Sequence, residues 1–158
     1  MNKLSTILVA IGLIFVSTIQ VNAQSYKDGV GIRLGTYNGI TFKTSVAEDK
    51  ALDFILSFNS LSDYSYARFT GLYEVHAKTN ITPGLLWYYG AGAGLGSRKD
   101  KRLDSSDLFV SVNGVIGMDY KFEKAPINIS LDWVPFLELS PNASIDVGGL
   151  GLSIRYTF

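Results

Sequence analysis

The sequence predicts an all-β protein: eight antiparallel strands in up-and-down order, closed into a barrel. Three observations lead there. Between turn signals the chain alternates with a period of two, as strands with two different faces do. In each of eight such segments one face carries no charged residue at all. The composition agrees: of 158 residues 13% are aromatic and only 18% charged, with 16 Gly and no Cys.

The first element is an address. Lys3 supplies a basic start, Ile7 to Val16 an apolar run, and Val21-Asn22-Ala23 small residues around a cut. That order reads as a signal peptide over residues 1–23, leaving one domain over 24–158. The apolar run is too short for a spanning helix, which needs about 20 residues.

Strands are expected near 29–38, 39–47, 51–60, 66–78, 84–97, 107–122, 127–139 and 148–158. Asn38-Gly39 is a two-residue hairpin signal between the first pair. Ala47-Glu48-Asp49-Lys50, Leu61-Ser62-Asp63, Thr79-Asn80-Ile81-Thr82, the charged stretch Ser97–Ser106, Glu123-Lys124-Ala125-Pro126 and Ser140-Pro141-Asn142 mark the remaining connections. Pro135 lacks a ladder donor, so the seventh strand should bulge or end there.

The uncharged faces include Ile32 and Leu34, Phe54 and Leu56, Trp87 and Tyr89, Ile116 and Met118, and Leu150 to Phe158 at alternate positions. The opposite faces hold Arg33, Lys43, Asp53, Arg68, Glu74, His76, Asp119, Lys121, Asp132, Glu138 and Arg155. Two architectures can use such strands. A soluble sandwich or small barrel buries the apolar face, whereas a membrane barrel turns it to lipid and packs the polar face inside.

Three features favour the membrane barrel. The chain ends on Phe158, with Tyr156 and Ile154 alternating behind it. Trp87, Tyr89, Tyr120 and Phe122 gather with Tyr156 and Phe158 at strand ends on the apolar face, as in an interfacial aromatic girdle. The polar face balances five Lys and Arg against five Asp and Glu, which an enclosed lumen requires because unpaired buried charge is costly.

The ending Leu152-Ser153-Ile154-Arg155-Tyr156-Thr157-Phe158, the segment Gly117 to Trp133 and the eight strands together resemble the small outer-membrane β-barrel proteins of Gram-negative bacteria, of the OmpA and OmpX type. The resemblance covers residues 24–158. It implies a cell outer-membrane location with lipid and lipopolysaccharide around the barrel. It also implies recognition of Ile154, Tyr156 and Phe158 by periplasmic chaperones and the barrel-assembly machinery. An even strand count places both termini in the periplasm.

A barrel of eight strands is only wide enough for its own side chains. Gly90, Gly92, Gly94 and Gly96 fall on the inner parity and are expected to leave volume for Arg68, Leu72, Glu74 and His76. Gly149 and Gly151 should do the same for Arg155. The alternation fails the spacing of a dinucleotide fingerprint. A lumen packed with ion pairs conducts poorly, and a transient small pore would require those pairs to rearrange.

Enzymatic function is not expected. His76 is the only imidazole, lies near a strand end beside Glu74, and is followed by Ala77-Lys78 rather than by Ser at the second position. This lacks the arrangement of the eight-stranded lipid A deacylases, and the palmitoyltransferase type places its His at the outer end. Asp132 and Glu138 stand about 20 Å apart on one extended strand, too far to cooperate. No cofactor or metal motif is present, and balanced charge argues against nucleic acid. The expected function is a non-enzymatic barrel with a structural or interaction role. A lipid-modifying enzyme, a small-solute pore and a soluble ligand-binding barrel are the alternatives. Arg98, Lys99, Lys101 and Arg102, with Asp100 and Asp104, form a charged loop that reads first as an ordinary solvated connection, and as the alternative could meet lipopolysaccharide phosphates.

Overall fold

A computed structural model describes residues 27–60, 64–100, 105–140 and 143–158. The expected signal peptide, and Lys101, Arg102 and Asp104 of the basic loop, lie outside the described residues. Ten ladder segments follow in chain order: β1 (Asp28–Gly35), β2 (Gly39–Ala47), β3 (Lys50–Ser60), β4 (Tyr64–Lys78), β5 (Leu85–Asp100), β6 (Ser105–Lys121), β7 (Ile127–Trp133), β8 (Phe136–Ser140), β9 (Ser144–Asp146) and β10 (Leu150–Thr157). Every pairing is antiparallel. The sheet runs β5-β4-β3-β2-β1-β10-β7-β6, and β5 pairs with β6 to close it.

These ten segments make eight staves. Against β6, β7 and β8 share one register, with Ile116 opposite Trp133 and Asn113 opposite Phe136. The break falls at Val134-Pro135, where the sequence expects it, and the Gly114 amide still donates to the Pro135 carbonyl at 3.0 Å. The eighth stave, expected to start at 148, begins earlier as β9, which pairs with β8. It is interrupted before β10 at Gly149, whose φ of 90° turns the chain.

Two connections differ from expectation. The Asn38-Gly39 hairpin is not a two-residue turn: Arg33 is the last β1 residue paired to β2, opposite Gly39. Gly39 is already ladder, and a Cβ there would stand 2.1 Å from the Leu56 carbonyl oxygen. Asn38 instead accepts the Gly35 amide on its side-chain oxygen at 3.0 Å, closing a wider turn. The β5–β6 hairpin also runs past the expected boundaries, to Asp100 opposite Ser105. Arg98 stands opposite Asp107 in register across this extension, where the apolar pattern has stopped.

The start of β1 and the end of β10 lie at one end of the barrel, since Gly29 lies opposite Thr157. That end is called the terminal end below, and the opposite one the distal end. Along β10 the residues Leu150, Leu152, Ile154 and Tyr156 are exposed, while Gly151, Ser153, Arg155 and Thr157 are buried. The same inversion runs round the molecule. Ile32, Leu56, Phe69, Val112, Ile116 and Leu131 face outward, each at least 40% exposed, whereas Arg33, Asp53, Glu74, Asp132 and Arg155 are at most 3% exposed. No water-soluble arrangement has reason to hide its charges and display its aliphatic residues. This is a membrane barrel, in which every backbone group pairs within the closed sheet and the apolar face meets acyl chains.

Candidate functional site

The lumen is the candidate site, and it is layered along the barrel axis. At the terminal end lies a cavity of about 160 Å³ walled by Lys43, His76, Asp119, Lys121, Asn128 and Thr157, among others. Above it sits an ionic layer. Lys43 reaches Glu74 at 2.7 Å, Asp119 at 3.5 Å and Asp53 at 4.0 Å. Arg155 pairs with Asp53 at 2.6 Å and donates to Thr41, Asn128 and Ser130 at 3.1, 3.2 and 2.8 Å. Three strands besides β10 itself therefore converge on one guanidinium. Asn128 donates in turn to Asp119.

An apolar layer follows, made by Ile55, Leu72, Tyr88, Val115 and Val134. All five lie on the parity that the sequence reads as the polar face. Tyr88 joins the layers on either side. Its hydroxyl donates to Asp132 at 2.7 Å, Lys43 stands 4.2 Å above its ring, and His76 stacks on it at 5.0 Å.

The distal ionic layer holds Arg33, paired with Asp132 at 2.6 Å and donating to the Gly149 carbonyl at 3.1 Å. Arg68 donates to Asn113 at 2.8 Å and Ser111 at 3.3 Å, and lies 3.7 Å over the Phe136 ring. Glu138 is paired with Arg98 at 3.2 Å. At the rim, Tyr37 in the β1–β2 turn donates to Asp146 and meets the Tyr66 ring edge-on. Burial and the Asp146 carboxylate push the Tyr37 phenol well above its ordinary range, so it stays a donor.

All eleven residues expected on the inner parity turn toward the lumen, with Lys121 half-buried at the terminal rim. His76 bonds Glu74 at 3.0 Å beside the Tyr88 ring, a positioning and packing role. The aromatic residues expected in a girdle lie toward the terminal end: Trp87 stacks on Tyr89, Tyr120 meets Phe122 edge-on and Tyr156 stacks on Phe158. Ile154, Tyr156 and Phe158 are all exposed there.

The glycine expectation holds in part. A Cβ at Gly94 would come 3.2 Å from Arg68 Nε, so bare backbone does make room for Arg68. Gly90 and Gly92 instead admit the β4 backbone, since a Cβ would stand 2.0 Å from the Tyr73 oxygen and 1.9 Å from the Gly71 oxygen. Gly96 makes room for the Phe109 ring. Gly151 accommodates Arg33, not Arg155, because a Cβ would fall 2.3 Å from Arg33 Cζ. The stagger of tilted strands, which parity alone does not contain, decides which side chain crosses which glycine.

No protein-family model matches the chain, and no curated protein sequence matches it. Solved structures do. The N-terminal β-barrel domain of Pseudomonas aeruginosa OprF superposes with a TM-score of 0.64 at 15% identity, covering 84% of this chain and 96% of that one. The fold is that of the small outer-membrane β-barrels. Neisserial surface protein A gives 0.54 at 12% identity over 84% of this chain and 94% of its own. Ail, the attachment invasion locus protein of Yersinia pestis, gives 0.53 at 12% identity, covering 85% of this chain and all of its own. At these identities the likeness concerns fold. The lumen must be read from its own residues.

Proposed function

We propose that this protein is a non-enzymatic integral barrel of the outer membrane, acting through its structure or its surface contacts rather than by conduction or catalysis. The observation that carries the proposal is the layered filling of the lumen. Two ionic layers stand on either side of an apolar one, so a solvated ion would have to cross both kinds of barrier. His76 supports the same reading, since its ring is occupied by Glu74 and Tyr88 rather than aimed at a nucleophile.

The termini are expected in the periplasm, with the longer β5–β6 and β6–β8 extensions outside. Ile154, Tyr156 and Phe158, lined up on the lipid face, suit recognition by the assembly machinery. The basic loop from Arg98 would supply charge-assisted donors to lipopolysaccharide phosphates.

Purified barrel in planar bilayers should give no discrete conductance steps, and H76A cells should keep the acylation pattern of lipid A by mass spectrometry. Regular single-channel steps would overturn the closed-lumen reading, and altered acylation would overturn the non-enzymatic one.

A further inference from the structure

We propose that the distal ionic layer holds a monatomic anion, chloride under physiological conditions, between Arg33 and Arg68. Three observations converge on this place. A small space of about 20 Å³ is lined by Arg33, Tyr37, Ser57, Arg68, Thr70 and Gly149, above an apolar floor of Ile55 and Val134. That is room for one water-sized species, as a cavity above roughly 10–15 Å³ can hold one. The polar side chains on its wall are two guanidiniums and three hydroxyls, with no carboxylate among them.

One of the two charges there lacks a close counterpart. Arg68 is 5% exposed, yet among the described residues no carboxylate forms an ion pair with it. Its contacts are the neutral oxygens of Ser111 and Asn113 and the face of Phe136, which offset only part of a buried charge. The acids of this half are engaged elsewhere. Asp132 is bound by Arg33 and Tyr88, Glu138 by Arg98, and Asp146 by the Tyr37 hydroxyl and the Gly148 amide.

Finally, donors are left over. Arg33 Nη1 is buried on this layer without a partner, and Arg68 Nε is likewise unsatisfied. Buried N–H groups are rarely left so, and a shared acceptor relieves them at once. A water could accept from two of them but carries no charge; a halide would accept from the guanidinium N–H groups and from the Ser57 and Thr70 hydroxyls, and would neutralise Arg68.

Bromide tests this directly, because it substitutes for chloride and scatters anomalously. Crystals grown from detergent with sodium bromide should show an anomalous peak between the Arg33 and Arg68 guanidiniums. In solution, replacing gluconate by chloride at constant ionic strength should raise the thermal unfolding midpoint with saturation, and R68M should abolish the increment. T70V, which keeps both charges and removes one hydroxyl, should weaken apparent chloride affinity several-fold. The absence of an anomalous peak in wild-type crystals, or equal midpoints in chloride and gluconate, would overturn the proposal and leave a water there. The wild-type bromide result stands even where R68M fails to fold.

Discussion

Asp53→Asn is the sharpest perturbation of the terminal ionic layer. Asp53 is 1% exposed and accepts from Arg155 at 2.6 Å and from Thr41 at 2.6 Å, with Lys43 at 4.0 Å. The amide keeps the shape but removes the charge facing Arg155, itself 1% exposed and otherwise held only by neutral oxygens. Breaking a buried pair from one side leaves an uncompensated charge and typically costs about 3–5 kcal/mol. Because Glu74 and Asp119 remain nearby, a loss of about 3 kcal/mol is expected, at the low end of that range. Arg155→Met alone should cost a similar amount. The double variant should lose clearly less than the two single losses together, since neither charge is then stranded. Reversible urea unfolding in lipid vesicles, followed by Trp fluorescence and gel mobility, measures all four corners. Additive losses, or a single-variant effect below about 1 kcal/mol, would refute the claim that this pair is a desolvated unit.

Leu152→Arg places charge on the lipid face and should cost about 2–4 kcal/mol if the site is near the bilayer midplane, read in the same assay. Gly151→Ala drives a Cβ into the Arg33 guanidinium, so a loss of about 1–3 kcal/mol is expected from urea unfolding, relieved when Arg33 is shortened as well. Tyr88→Phe removes the donor to Asp132 and should cost about 1–3 kcal/mol by that assay while leaving the bilayer silent, because the apolar layer stays filled.

The strand count, the apolar exterior and the parity of every lumen charge were legible in the sequence, because a period of two survives any tilt or stagger. Pro135 was legible too, through its missing donor. Other features were not, and for one reason. Partners across a barrel depend on how far each tilted stave is shifted against the next, which is a property of the closed sheet. Hence Gly151 could not be matched to Arg33, nor Arg98 to Glu138. The apolar layer of Ile55, Leu72, Tyr88, Val115 and Val134 was hidden for a related cause. These residues alternate with polar neighbours on the same face, and only shear brings them to one level. Asn38-Gly39 misled because Gly39 serves close packing against β3 rather than the turn.

A nitroxide scan along Leu150–Thr157 in lipid vesicles tests the inverted barrel most directly. Oxygen accessibility should peak at 150, 152, 154 and 156 and fall at the positions between, with a water-soluble nickel reagent excluded from all four peaks. Nickel collisions concentrated at those four positions instead would mean that the aliphatic face meets water, contradicting the account at its root.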